Sequence, residues 1–176
     1  DIEKAYDCTW RYGILKDLHD MGLRGYLPKF IQQFLSNRQF KVKINDHYSN
    51  TFEQEMGIPQ GSVLSVTLFG IKINQIANFI PKDNRFLTSL FVDDFQLSYR
   101  HSDVNQIQTQ LQNSLDKISQ WATNNGLKFS QDKTKAMHFS TIRGITILPQ
   151  LTMKNKSIKY VDNIKFLGLI WDPKLT

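Results

Sequence analysis

Ser89-Leu90-Phe91-Val92-Asp93-Asp94-Phe95-Gln96-Leu97-Ser98-Tyr99 is the stretch on which the reading of this chain turns. Bulky apolar residues lead up to two adjacent carboxylates. After them Phe95, Leu97 and Tyr99 alternate with Gln96 and Ser98 at the period of a half-buried strand. The pattern predicts a β-hairpin with Asp93 and Asp94 at its tip. Two-residue hairpin turns favour Gly or Asn, so a pair of Asp gives up turn preference and sets two negative charges side by side. Taken alone, the pair reads either as a solvated turn or as a site for a divalent cation.

Working outward, the flanks predict helices interleaved with hairpins. Trp10, Ile14, Leu15, Leu18 and Met21 recur at helical spacing, and Gly22 is placed to end that helix. Leu27, Phe30, Ile31, Phe34 and Leu35 give the stripe of a second, core-facing helix. From Phe40 the period drops to two: Phe40, Val42 and Ile44 alternate with Lys41 and Lys43 before a turn at Asn45-Asp46-His47 and a return strand from Tyr48 to Phe52. Gly57 to Ser65 is a Gly/Pro/Ser loop running into an apolar helix through Leu68, Ile71 and Ile76. In it Pro59 fixes one backbone angle, and Gly61 leaves the backbone open to a flat object.

Beyond the central hairpin, Ser102 or Asp103 can cap a helix carrying Val104, Ile107, Leu111, Leu115, Ile118 and Ala122, with Gly126 past its end. Lys128, Lys133 and Lys135 surround a turn, either as a solvated basic turn or as phosphate-facing groups. Ala136 to Phe139 reads as a strand, residues 144 to 160 as short strands around Asn155-Lys156, and Ile164 to Trp171 as one apolar strand. The expected class is α+β, with a small antiparallel sheet and helices on one face.

The totals narrow the function. A chain of 176 residues, 40% hydrophobic and 12% aromatic, is one globular domain in size. Its net charge of +6 favours a polyanionic partner. The single cysteine, Cys8, excludes an internal disulfide and a cysteine zinc cluster, and reads as a small buried hydrophobe. The four histidines lack ligand spacing. No stretch suits a bilayer span, so the sequon Asn155-Lys156-Ser157 is expected to be a turn, and the chain to work without a membrane.

Five motifs in one order carry a resemblance. Asp1-Ile2-Glu3-Lys4-Ala5-Tyr6-Asp7, Gly57 to Phe69, Phe91-Val92-Asp93-Asp94, Gly126-Leu127-Lys128-Phe129 through Lys133-Thr134-Lys135, and Phe166-Leu167-Gly168 resemble the palm motifs of reverse transcriptases. The similarity is to the non-LTR (LINE, Jockey-like) type and covers all 176 residues. It implies a single partial reverse transcriptase domain over residues 1–176, a palm lacking most of the fingers and the thumb.

The implied chemistry is RNA-directed DNA synthesis, an in-line displacement at phosphorus in which two metal ions stabilise the attacking and leaving oxygens. By that resemblance Asp1, Asp93 and Asp94, with the carbonyl of Ile2, hold two Mg2+ ions, Mn2+ being the alternative. Tyr6 would lie beneath the incoming sugar and exclude a 2'-hydroxyl, and Gln60 and Gly61 would line the nucleotide and template site. Lys133, with Lys128 and Lys135 as rivals, would stand near the leaving pyrophosphate. Phe166, Leu167 and Gly168 would position the primer.

Implied partners are an RNA template, a DNA primer and deoxynucleotides, in a nuclear or cytoplasmic setting. Val66 stands where the family commonly has Pro, and Phe91-Val92 where it commonly has Tyr-Ala; both are apolar changes at structural positions. Two other readings stay open: a catalytically silent palm remnant that binds nucleic acid without copying it, and an RNA-directed RNA polymerase, which fits Tyr6 poorly.

Overall fold

The computed structural model describes residues 1–140 and 148–174. Of the strands expected between 144 and 160, residues 144–147 lie outside the described residues. The chain divides into two compact units, Lys4–Gln75 with Asn125–Leu127, and Asp1–Glu3 with Ile76–Asn124 and Lys128–Thr176.

In the unit built on Lys4–Gln75, the short helix α1 (Ala5–Cys8) leads into α2 (Arg11–Asp20). Gly22 ends α2 as expected. Its φ of +87° is open to glycine without strain, and the N–H of Leu23 reaches back to the carbonyl of Leu18 at 3.0 Å to close the last turn. Helix α3 (Tyr26–Leu35) follows. The stripes place the helices correctly but only half of each is covered: Ile14, Leu18, Ile31 and Leu35 are buried, whereas Trp10, Met21, Leu27 and Phe30 are exposed.

The predicted hairpin is two short ladders. The strands β1 (Gln39–Phe40) and β4 (Phe52–Glu53) pair antiparallel, as do β2 (Lys43–Ile44) and β3 (His47–Tyr48), around a turn at Asn45-Asp46. Phe40 and Phe52 stack across the first ladder at 5.6 Å between ring centres. The apolar face of this hairpin is not buried: Phe40, Val42 and Ile44 are all exposed. The loop from Gly57 then delivers α4 (Val63–Asn74), which packs on α2 and continues as a 3-10 turn to Phe79.

Between α2 and α4 lies a buried ion pair. Lys72 Nζ stands 3.1 Å from Asp17 Oδ2, with both side chains at least 95% buried, and Gln75 Nε2 donates to Asp17 Oδ1 at 2.6 Å. Gly13 makes room for it, since a Cβ there would come within 2.9 Å of the Lys72 ammonium.

The other unit is organised by β5 (Phe86–Phe91) and β6 (Asp94–Tyr99), paired antiparallel from Phe86↔Tyr99 to Phe91↔Asp94. Helix α5 (Val104–Asn124) packs on β6, burying Leu115, Ile118, Trp121 and Ala122. Asp103 is its cap, accepting from the N–H of Asn105 at 2.8 Å. Strand β7 (Lys135–Ala136) is shorter than the expected Ala136–Phe139.

Strands β8 (Thr152–Met153) and β9 (Lys156–Ser157) turn at Lys154-Asn155, so of the sequon only Asn155 lies in the turn and Lys156-Ser157 form the returning strand. The amide of Gln112 on α5 holds β8 by both its atoms, accepting from the N–H of Thr152 at 2.8 Å and donating to its carbonyl at 3.1 Å. Strand β10 (Lys159–Tyr160) runs parallel to β7.

The C-terminal apolar run is not one strand. It is a hairpin of β11 (Ile164–Phe166) and β12 (Leu169–Trp171), because Leu167 (φ +49°) and Gly168 (φ +86°) both take the left-handed region that a tight hairpin turn needs. The architecture is α+β, with short, mainly antiparallel sheets. Among the described residues no helix is long and apolar enough to cross a membrane.

Candidate active site

Three backbone segments of one unit meet at the opening residues. Ile2 pairs antiparallel with Phe129, flanked by hydrogen bonds from the N–H of Glu3 to the carbonyl of Lys128 (2.8 Å) and from the N–H of Ser130 to the carbonyl of Asp1 (2.9 Å). In an antiparallel ladder a residue flanked in this way turns its own N–H and carbonyl to the opposite edge. There the N–H of Ile2 donates to the carbonyl of Asp93 at 3.2 Å. Burial of Ile2 and Phe129 explains why this short pairing persists.

The tip of the central hairpin is displaced by one residue from the sequence expectation. Phe91 and Asp94 are paired, so the turn is Val92-Asp93 and Asp94 opens the returning strand. Val92 takes φ +55°, a region that a β-branched side chain seldom enters. The turn brings the Asp93 carbonyl to the Ile2 N–H and leaves both acidic side chains half-buried.

Charge is gathered here. Lys133 Nζ stands 2.9 Å from Asp1 Oδ2. Next to it Lys128 Nζ pairs with Glu3 Oε2 at 3.0 Å. The backbone nitrogen of Asp1 lies within electrostatic reach of Asp94, Asp93 and Lys133. Asp1, Asp93, Asp94 and Lys133 are thus electrostatic neighbours.

Among the described residues no three His, Cys, Asp or Glu side chains are grouped to hold an ion, and the Asp1 carboxylate is taken by an ammonium.

Tyr6, Gln60 and Gly61 belong to the other unit. Tyr6 stacks on Phe69, with ring centres 5.2 Å apart and planes 25° from parallel. Gln60 Nε2 donates to Asp7 Oδ1 at 2.9 Å. Gly61 is exposed at φ +84° with open space where a Cβ would be. Gly57 has no such space: a Cβ there would lie 2.6 Å from the Asp7 carbonyl oxygen. Phe166, Leu167 and Gly168 lie at the turn of the C-terminal hairpin, with Phe166 half-buried and the other two exposed.

The sequence reading missed three contacts at these places: Asp7 on Gln60, Glu3 on Lys128, and Asp132 on Lys156 at 2.5 Å. The first and third join residues 53 and 24 positions apart, for which spacing offers no signal.

Comparison with known proteins gives this geometry its context. The family model for reverse transcriptase (RNA-dependent DNA polymerase) matches residues 1–171. Among curated proteins the chain is 26% identical to the RNA-directed DNA polymerase from mobile element jockey of Drosophila melanogaster and 28% identical to its Drosophila funebris counterpart. It is 23% identical to the probable RNA-directed DNA polymerase from transposon BS of Drosophila melanogaster. Each match takes in all of this chain; the chain spans 19% of the length of the two jockey proteins and 20% of the BS protein. With its palm motifs in order and a family match over nearly its whole length, the chain belongs to the reverse transcriptase family, related to the polymerases of non-LTR retrotransposons.

Proposed function

We propose that this chain is a nucleic-acid-binding segment of a polymerase palm, one partial reverse transcriptase domain, and that in this arrangement it is catalytically silent. The observation that carries the reading is the 2.9 Å ion pair between Lys133 and Asp1. It occupies the carboxylate that family resemblance assigns to metal binding, and Asp93 and Asp94 do not complete a three-ligand group with it. Family membership and the net charge of +6 support binding to a nucleic acid backbone.

A second reading, RNA-directed DNA synthesis, is favoured by a different observation. The hydrogen bond from the Ile2 N–H to the Asp93 carbonyl sets the two aspartates on adjoining backbone. On this reading Lys133 would release Asp1, and Asp1, Asp93, Asp94 and the Ile2 carbonyl would hold two Mg2+ ions, which would supply charge stabilisation to the attacking and leaving oxygens. Lys133 then faces the leaving pyrophosphate, Tyr6 the sugar of a deoxynucleotide, Gln60 and Gly61 the nucleotide and RNA template. Phe166, Leu167 and Gly168 face the DNA primer.

The test is to mix the chain with a labelled RNA–DNA hybrid bearing a recessed DNA 3' end, Mg2+ and deoxynucleotides. Fluorescence anisotropy should report binding that weakens as salt rises, while the primer stays its original length. Primer extension that disappears in Asp93→Ala would establish the second reading instead. Absence of binding at low salt would overturn the first.

A further inference from the structure

The basic residues of the unit that holds Asp1 are not equally occupied. Lys133 is engaged by Asp1, Lys128 by Glu3 and Lys156 by Asp132. Among the described residues Lys135 and Lys159 have no such acid. They are direct partners in the parallel pairing of β7 and β10, so their side chains leave the same face of the sheet from strands about 4.8 Å apart. Both are exposed, and their strand neighbours Ala136 and Tyr160, also paired with each other, are half-buried on the opposite face.

Like charges set side by side on neighbouring strands repel, and burial gives nothing back at an exposed site. The nearby anion is Asp132. Its carboxyl is held below the usual range first by its hydrogen bond to Lys156, with Lys135 and Lys128 adding weaker attraction. Asp132 is paired with Lys156 and Glu3 with Lys128, which leaves Lys135 and Lys159 as the ammonium groups without an ion pair at this place among the described residues.

We infer that the Lys135–Lys159 pair is a seat for a backbone phosphate of a bound nucleic acid strand. The inference rests on the nucleic-acid-binding reading above and adds a specific site to it. Two ammonium groups on one face suit a phosphate, whose oxygens can accept from both, and relieve the repulsion between the strands on binding. Such a contact positions a strand without reading its bases. Asp132 opposes it, because it neutralises Lys156 and repels the same phosphate.

The experiment compares Lys135→Gln, Lys159→Gln, the two together, Asp132→Asn and the control Lys117→Gln, which removes an exposed charge from α5. Binding of each to an RNA–DNA hybrid is followed from low to physiological salt, and folding by thermal unfolding. Because the two lysines share one phosphate, removing both should flatten the slope of log affinity against log salt by about 0.9 and weaken binding about fivefold at 0.15 M salt, and each single variant should show part of that change. Neither should lower the unfolding midpoint, since each removes a repulsion. Asp132→Asn should bind more tightly than the unchanged chain.

Hybrids of scrambled sequence should respond alike. Slopes for Lys135→Gln and Lys159→Gln that match Lys117→Gln would overturn the phosphate seat while leaving nucleic-acid binding intact. An unchanged chain that fails to bind at all would overturn both.

Discussion

Lys133 Nζ lies 2.9 Å from Asp1 Oδ2, an ion pair across 132 positions of sequence. The lysine side chain is 68% exposed and the aspartate 23%, so the pair contributes only about 0.2–1 kcal/mol to folding. Its effect is on what else Asp1 can bind. Lys133→Ala should leave the urea midpoint nearly unchanged and increase Mn2+ affinity, read by electron paramagnetic resonance. An affinity equal to that of the unchanged chain would show that the lysine does not hold Asp1 away from an ion.

Val92 precedes Asp93 in the turn and is held at φ +55°. A valine there is strained by about 1–3 kcal/mol. Val92→Gly should therefore raise the stability of the chain by about 1 kcal/mol, part of the strain relief being lost to the greater freedom of glycine in the unfolded chain. Chemical denaturation measures it. A destabilised variant would mean that the packing of the valine side chain outweighs the strain.

The central hairpin was legible because alternation from Phe95 to Tyr99 leaves a strand one way to bury a face. Its tip was misplaced by one residue because turn preference argues against a valine at positive φ, and only the Phe91↔Asp94 register reveals it. Gly168 was the available signal that Ile164–Trp171 is a hairpin, but the continuous apolar run masked it. Leu27 and Phe30, about 53% and 55% exposed, show another limit: helical spacing marks an apolar face and says nothing of what covers it. The acids at 1, 93 and 94 were recognisable by motif order. The lysine on Asp1 was not, since both solvated and phosphate-facing roles suit a basic turn.

Gly57 and Gly61 share a loop and nearly the same φ, +81° and +84°, yet should respond differently to a side chain. At Gly61 the added methyl meets nothing within 4 Å, so Gly61→Ala should cost only the backbone term of about 1–2 kcal/mol. At Gly57 the methyl would lie 2.6 Å from the Asp7 oxygen and 2.8 Å from that of Tyr6, so Gly57→Ala should cost more, about 3–4 kcal/mol. Equal losses in denaturant would show that the loop shifts freely away from α1. If Gly61 lies against a template, Gly61→Ala should also weaken hybrid binding without further loss of stability.

Lys72 and Asp17 are at least 95% buried and face each other at 3.1 Å. Removing one partner leaves a charge in an apolar setting, so Lys72→Ala should destabilise by about 3–5 kcal/mol. The double variant Lys72→Met with Asp17→Leu should recover most of that loss, because it removes both desolvation penalties while filling the space. Failure to recover would indicate that the amide of Gln75, left without its acceptor on Asp17, dominates the loss.

Tyr6 rests on Phe69, which is 1% exposed and so forms a fixed platform beneath it. A ring held from below at 5.2 Å between centres has little freedom to swing aside, as the proposed exclusion of a 2'-hydroxyl would require. If the second reading, RNA-directed DNA synthesis, holds, Tyr6→Ala in a polymerase that contains this chain should admit ribonucleotides, with little change in deoxynucleotide use. Phe69→Ala should relax the same discrimination less, since the tyrosine remains but loses its support. Single-nucleotide extension with paired ribo- and deoxynucleotides measures both. Strict rejection of ribonucleotides by Tyr6→Ala would remove this residue from the sugar-sensing role and leave the stack as core packing alone.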